Sequence, residues 1–181
     1  GHRGPLTGMA FRLSSNVPAG ESVELRVLTD SVSAVEYTNS PLPKFKNLNV
    51  AFVVIDIDAL EGIPVYGHVG VMTYSRLLLD LKSVCSAERV LYLDADILVR
   101  KPLDGLFNLL SSMKGPLAGV QEFGTKTVSG DGGVFNWKEL GLNPEQPYFN
   151  AGVLGLNLEK IRSAGLFRKA ISYLQQYGEQ V

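Results

Sequence analysis

Two long apolar runs restrict the folds open to this chain. The first extends from Asn49 to Ile57 and is almost continuously apolar and rich in β-branched residues, and the second extends from Arg89 to Val99. Runs of this length and composition are typical of strands that are buried on both faces of a sheet. Because helices must cover both faces of such a sheet, the sequence predicts an α/β domain with a mostly parallel, mixed sheet.

Shorter segments with strand-like and helix-like patterns alternate along the rest of the chain. Further strands are predicted over Val23–Leu28, Pro116–Val120 and Phe149–Leu158. Helices are predicted over Leu6–Val17, Val69–Val84, Leu103–Leu110 and Leu158–Tyr177. Ligands of α/β sheets bind at the carboxyl ends of the strands, so functional side chains are expected just after each apolar run.

Composition narrows the class of protein further. The 181 residues suit one domain over residues 1–181, and 45% of them are hydrophobic, which is enough for a core. With a formal net charge of −1 and scattered Lys and Arg, neither a nucleic-acid groove nor an anionic membrane surface is indicated. No run of ~18 apolar residues predicts a membrane span. Cys85 is the only cysteine, predicted to be an inert core thiol, and leaves both cytoplasm and Golgi lumen open as compartments.

The strongest candidate site is Asp94-Ala95-Asp96, where two acids interrupt the second apolar run. Alternate side chains of an extended chain share a face, which predicts that Asp94 and Asp96 point together, with Cα atoms about 7 Å apart. Ionised carboxylates in apolar surroundings are costly unless they are paired or bind a cation. The pair therefore predicts a site for Mn²⁺ or Mg²⁺, an ion that can neutralise a diphosphate leaving group.

A second Asp-x-Asp sequence occurs at Asp56-Ile57-Asp58. It continues into residues 59–62, which have the composition of an ordinary strand exit. Since apolar residues do not enclose this second pair, metal binding is assigned to the first pair.

Two other polar residues stand in apolar surroundings. Asn150 enters a predicted strand beside Ala151 and Gly152, whose small size would let a ligand approach the backbone, although a turn residue before the strand is an equal interpretation. Arg76 lies on a predicted helix that is apolar beyond it. A half-buried arginine pairs either with a protein carboxylate or with a ligand phosphate or sugar hydroxyl, and both alternatives stay open.

Three motifs, taken in order, resemble those of glycosyltransferase family 8, which includes glycogenins, galactinol synthases and bacterial lipopolysaccharide galactosyl- and glucosyltransferases. The motifs are residues 73–77 around Arg76, residues 90–99 with the Asp-Ala-Asp sequence, and residues 148–153 around Asn150. Their spacing is also similar, and the resemblance extends from about Gly8 to Tyr177.

The resemblance implies a GT-A (nucleotide-diphospho-sugar transferase) fold, Mn²⁺ dependence, and retaining transfer of a hexose from a UDP-sugar to a carbohydrate or other hydroxyl acceptor. It implies that Asp94 lies near the donor ribose and the metal, and that Asp96 ligates the metal directly. It also implies that Arg76 contacts the donor sugar or diphosphate, and that Asn150 and Ala151 line the sugar pocket. The implied catalytic residues are Asp94, Asp96 and Asn150.

The two ends of the chain depart from the family pattern. The family opens with a strand that carries part of the uridine pocket, and nothing before Leu6 resembles it. The family's later Asp-Gln segment, metal-binding His and Lys near a Trp are also unmatched, and His2 and His68 precede the Asp-x-Asp motif. We therefore expect a fragment of the domain. It would lack the opening strand, which lies between the strands that carry Leu28 and Asp94, and the third protein ligand of the metal.

Two alternative functions were also considered for a chain with this Asp-x-Asp sequence. Haloacid-dehalogenase-type phosphatases also place Asp-x-Asp after an apolar strand, but they require Thr or Val where this chain has Leu98. They also require a later acidic pair at a strand end, which neither Asp104 nor Asp131 supplies. The remaining alternative is a sugar-nucleotide-binding domain that lacks catalytic activity in residues 1–181.

Overall fold

The computed structural model describes residues 3–65 and 70–178. Its α-helices are α1 (Arg3–Ser15), α2 (Ser31–Asn39), α3 (Asp104–Ser112), α4 (Leu158–Ala164) and α5 (Leu166–Tyr177). Its strands are β1 (Val23–Thr29), β2 (Leu48–Val54), β3 (Arg89–Leu93), β4 (Leu117–Gln121) and β5 (Phe149–Asn157). Two 3₁₀ helices, Ile57–Leu60 and Val71–Asp80, lie between β2 and β3. His2 and His68, considered above as metal ligands, lie outside the described residues.

The strands form two sheets with different pairing. β1 and β2 are parallel, with Val23 opposite Leu48 at one end and Thr29 opposite Val54 at the other. The second sheet has the order β3-β5-β4 and is antiparallel throughout. The mixed α/β class is confirmed, but parallel pairing is confined to β1 and β2, because β5 returns between β3 and β4 in the opposite direction.

Two apolar clusters hold the elements together, and both draw side chains from the two sheets. In the second cluster, apolar residues recur at helical spacing along α1 and pack toward β1 and β2: Leu6, Met9, Ala10 and Leu13. In the first, β5 and α4 pack against the longer 3₁₀ helix and the segment that follows it, through Leu154, Leu158, Ile161, Leu78 and Cys85. Cys85 is buried as predicted.

Within the described residues, no strand pairing connects the two sheets. β1 and β3 therefore each have one edge that lacks a strand partner in the described part of the chain. Their outward backbone groups are available for pairing, since an edge strand uses only one of its two rows of N–H and C=O groups.

The second apolar run forms a shorter strand than predicted. β3 ends at Leu93, because the Ile97 N–H donates to the Asp94 carbonyl (3.1 Å) and closes a turn immediately after the strand. Val99 is buried in the second apolar cluster, against α1, although it is not in a strand. The apolar run is therefore longer than the strand because it includes a residue that is buried outside it.

Three helix assignments also differ from expectation. The predicted helix Leu158–Tyr177 is divided at Gly165, whose φ of 60° is left-handed and ends α4. The helix α2 was not predicted, and Asp30, the residue after β1, caps it by accepting a 2.7 Å hydrogen bond from the Ser33 N–H. Within the described part of the predicted helix Val69–Val84, residues Val71–Asp80 form a 3₁₀ helix, with Leu81 as its C-cap.

Candidate active site

Polar side chains meet where β3 and β4 end and β5 begins. Asp94 follows β3 directly, Glu122 follows β4, and Asn150 is the second residue of β5. Because β5 is antiparallel to both neighbours, its first residues lie beside the carboxyl ends of β3 and β4. The Asp94 N–H accordingly donates to the Gly152 carbonyl at 2.9 Å.

The Asp94 carboxylate is held through one of its two oxygens. Oδ1 accepts a 2.7 Å hydrogen bond from the Tyr92 hydroxyl and a 3.1 Å hydrogen bond from Nη2 of Arg76. The Asp94 side chain is 35% exposed and that of Arg76 only 14%. Charge-assisted hydrogen bonds of this kind fix the carboxylate orientation. Oδ2 lies on the Gly152 side of Asp94.

Arg76 connects three segments of the site. Its Nε donates to the Thr73 carbonyl (2.9 Å) in its own 3₁₀ helix, its Nη1 to the Ala151 carbonyl in β5, and its Nη2 to Asp94. The guanidinium also lies over the Tyr92 ring, 4.6 Å from the centroid. Of the two alternatives left open by the sequence, the structure has the pairing with a protein carboxylate, and that carboxylate belongs to the candidate site.

Tyr92 is a permanent hydrogen-bond donor to Asp94 at neutral pH. Burial raises the pKa of the Tyr92 hydroxyl, and the hydrogen bond to Asp94 raises it further. The Arg76 charge opposes this rise, whereas the negative charges of Asp94 and Asp96 add to it. The proton therefore stays on the phenol, a role for Tyr92 that was not predicted from the sequence.

Glu122 is a second site residue that sequence reasoning missed. Its Oε2 accepts from Nδ2 of Asn150 at 2.9 Å, and its Oε1 accepts from the Phe123 N–H at 2.8 Å. The Asn150 hydrogen bond is the main cause of a lowered pKa for Glu122, so the carboxylate is ionised at neutral pH. The signal was present, because Glu122 is the first acid after a predicted strand.

Asn150 is fixed from both ends of its amide. Nδ2 donates to Glu122, and Oδ1 accepts from the Gly152 N–H at 2.7 Å. The sequence predicted that the small size of Gly152 lets a ligand approach the backbone. In the structure, the space beside its Cα is instead occupied by oxygens of Asn150 and Asp94. Ala151 is exposed, and its carbonyl accepts from Arg76.

Asp96 lies in the turn after β3 and is exposed. The expected extended backbone at Asp94–Asp96 is wrong, because the turn at Asp94–Ile97 follows β3 directly, and the shared direction of the two carboxylates stays a prediction. The pair is still close enough for both charges to act on Tyr92. Among residues 3–65 and 70–178, no group of three or more His, Cys, Asp or Glu side chains could hold a metal ion.

The second Asp-x-Asp sequence has a structural explanation. The Asp56 carboxylate accepts from the Asp58 N–H at 3.1 Å and caps the 3₁₀ helix Ile57–Leu60. Both aspartates are exposed. A short side-chain cap at a strand exit accounts for these residues without a ligand.

Solved structures of glycosyltransferases share this fold. The galactosyltransferase LgtC, solved with donor and acceptor sugar analogues, aligns with a TM-score of 0.72 at 24% identity, over 98% of this chain and 62% of its own. Mouse xyloside xylosyltransferase 1 aligns with a TM-score of 0.59 at 18% identity, over 99% of this chain and 70% of its own. These likenesses define the class of protein by its fold, which is the GT-A fold expected from the sequence.

Sequence comparison identifies the family within that class. The profile of Glycosyl transferase family 8 matches residues 29–181, and the chain belongs to this family. General stress protein A of Bacillus subtilis (strain 168) is 23% identical over 181 residues, which are 97% of this chain and 59% of that protein. The chain thus spans about three fifths of the length of this relative. Within the described ranges, no helix is both long enough and apolar enough to cross a bilayer.

Proposed function

We propose that the protein transfers a hexose from a UDP-sugar to a hydroxyl of a carbohydrate or other acceptor, with retention of anomeric configuration and with Mn²⁺ or Mg²⁺ as cofactor. Membership of glycosyltransferase family 8 supports glycosyl transfer as the class of reaction. The proposal places the donor and the metal at the edge formed by Asp94, Asp96, Arg76, Asn150 and Ala151.

One observation carries this proposal. Three motifs that are far apart in sequence meet at the Ala151–Gly152 peptide: its carbonyl accepts from Arg76, its N–H donates to Asn150, and Asp94 binds both Arg76 and the Gly152 carbonyl. A binding pocket draws its polar groups from several strand ends in this way, whereas a structural ion pair needs only two of them.

The available donor atoms suit a hard divalent cation. With Oδ1 of Asp94 engaged by Tyr92 and Arg76, the remaining oxygen Oδ2 and the exposed carboxylate of Asp96 are the oxygens that would hold the ion. Carboxylate oxygens are the ligands that Mg²⁺ and Mn²⁺ prefer. The chemistry that such an ion supplies is neutralisation of the departing diphosphate.

The chain's own residues would orient the donor sugar. Asn150 and the ionised Glu122 present a fixed row of polar groups beside Asp94, and sugar hydroxyls can donate to the carboxylate oxygens. Three of the five N–H donors of Arg76 bind Thr73, Ala151 and Asp94, so the first contribution of Arg76 is to hold Asp94 in place.

An assay with two matched variants tests the proposal. Purified protein is incubated with UDP-glucose or UDP-galactose and Mn²⁺, and release of UDP is followed with and without chelator. Asp96→Asn should reduce turnover by about a hundredfold or more, because it removes a metal ligand. Asp58→Asn, in the exposed second Asp-x-Asp sequence, should leave turnover unchanged.

The outcomes separate the alternatives. UDP release that persists in excess chelator would refute the metal role. Mn²⁺-dependent binding of UDP-sugar without turnover would favour the alternative function, a sugar-nucleotide-binding domain that does not catalyse transfer in residues 1–181.

A further inference from the structure

Gly152 lies at the contact between the two halves of the candidate site. A Cβ atom added to it would be 2.9 Å from Oδ1 of Asn150 and 3.0 Å from Oδ2 of Asp94. Both separations are too short for a Cβ–oxygen contact, so the two oxygens would have to move to admit a methyl group. The two oxygens therefore occupy space that any other residue at this position would fill.

The main chain of Gly152 holds the same two residues. Its N–H donates to Oδ1 of Asn150 at 2.7 Å, and its carbonyl accepts from the N–H of Asp94 at 2.9 Å. The lack of a side chain at Gly152 leaves room for Asn150 and Asp94, and the two backbone groups of Gly152 bind the same two residues. A glycine is required here for its lack of Cβ and not for its dihedral angles, because its φ lies outside the left-handed range.

We propose that Gly152 is a positioning residue, which sets the placement of the Asp94 and Asn150 oxygens and so the geometry in which this site binds its ligand. The proposal rests on the proposed function for the nature of the ligand, a nucleoside diphosphate with a divalent cation. Gly152 acts through Asp94 and Asn150, so adding one methyl group displaces both oxygens together.

Strand β5 contains a matched control in Gly155. A Cβ at Gly155 would meet the side chains of Leu110, Ala118 and Met113 at 3.5, 3.7 and 3.8 Å, which is ordinary van der Waals contact. Gly155 also lines a small apolar cavity of about 60 Å³ beneath α3, into which a methyl group fits. Gly→Ala in a strand removes backbone freedom from the unfolded chain, so Gly155→Ala should be neutral or stabilising.

The first measurement is ligand affinity. UDP with Mn²⁺ is titrated by calorimetry into wild type, Gly152→Ala and Gly155→Ala, well below the unfolding temperature of each. Gly152→Ala should weaken binding about tenfold or more, because small displacements of site groups have large effects, and Gly155→Ala should bind as wild type does. Equal affinities for the two variants would overturn the proposal.

The second measurement is a double-mutant cycle on urea unfolding, which needs no ligand. If the methyl group of Gly152→Ala collides with Asn150, the substitution must destabilise an Asn150→Ala background less than it destabilises wild type. Additive effects would overturn the proposal. Should Gly152→Ala fail to fold, Asn150→Ala combined with Asp94→Ala, which removes both colliding oxygens, must restore folding, and failure to do so counts equally against the proposal.

The two measurements distinguish the inference from the function on which it rests. If wild type binds no UDP in the presence of Mn²⁺, the proposed function fails, whereas the unfolding cycle still decides whether Gly152 positions its neighbours. If wild type binds and the cycle is additive, the function stands and the role of Gly152 is wrong.

Discussion

The hydroxyl of Tyr92 donates a 2.7 Å hydrogen bond to Oδ1 of Asp94, two residues along the chain. Tyr92 is the penultimate residue of β3, and Asp94 is the first residue beyond it. The strand therefore supplies both the carboxylate and the group that orients it. Since Arg76 binds the same oxygen, the opposite oxygen of Asp94 is the one directed toward Asn150 and Gly152.

Removing this hydroxyl should weaken the site and preserve the fold. Tyr92→Phe keeps the ring under Arg76 but deletes one of two donors to Asp94, so UDP affinity in the presence of Mn²⁺ should fall about fivefold, or ~1 kcal/mol. Tyr74→Phe is the control, because the Tyr74 hydroxyl donates to the Pro64 carbonyl at 3.2 Å and not to Asp94. Equal affinities for the two variants would show that Tyr92 does not orient Asp94.

Replacing Arg76 by lysine should destabilise the protein. A lysine cannot reproduce a planar group that donates to Thr73, Ala151 and Asp94 together, so Arg76→Lys should lower the free energy of unfolding by about 1–3 kcal/mol. In Arg26→Lys, the exposed pair with Glu24 is altered instead, and the change should stay within ~0.5 kcal/mol. Urea unfolding measures both, and similar losses would mean that the Arg76 contacts contribute no more than a surface pair.

The Glu122 carboxylate should make stability depend on pH. Its pKa lies below the usual value of 4.5, chiefly because Asn150 donates to it, with the N–H groups of Phe123 and Gly124 adding to the effect. A lowered folded-state pKa stabilises the protein above the unfolded pKa, and this contribution is lost as pH falls through the folded value. The difference in unfolding free energy between wild type and Glu122→Gln should therefore be flat above pH 4.5 and shrink below it. A difference that grows as pH falls would contradict this.

The sheet edges predict the behaviour of residues 1–181 in isolation. β1 and β3 each have an edge without a strand partner in the described ranges, and such edges invite pairing with another chain. The expected opening strand between them stays a prediction. Residues 1–181 alone should therefore self-associate as concentration rises in light scattering. A monomer whose outer β1 and β3 amides are protected from hydrogen exchange would contradict this.

The sequence predicted the strands well because their apolar runs end at polar or turn residues. β1, β4 and β5 begin and end within about one residue of the predicted positions, whereas β2 ends at Val54 and the predicted end at Ile57 lies in a 3₁₀ helix. It missed α2 because none of that helix's residues is buried, so it has no clear apolar face. It extended β3 too far because the apolar residues beyond it do not lie in a strand: Val99 is buried in the second apolar cluster, and Leu98 is exposed.

The candidate site was predictable to a similar degree. Acids and amides that follow apolar runs were recognisable, and the structure brings Asp94, Arg76 and Asn150 together. What a linear pattern could not provide was the contact between runs. The pairing of β5 with β3 and β4 places Tyr92 and Glu122 in the site, and this pairing depends on tertiary packing.

The most direct test of the account locates the bound metal. The central claim is that the metal and the sugar nucleotide meet at Asp94 and Asp96. When Mn²⁺ is titrated with UDP into ¹⁵N-labelled protein, its paramagnetism should first broaden the amide resonances of Asp94, Asp96 and Gly152, and should spare Asp56 and Asp58. Broadening centred on Asp56 and Asp58, or broadening with no preferred site, would contradict the account.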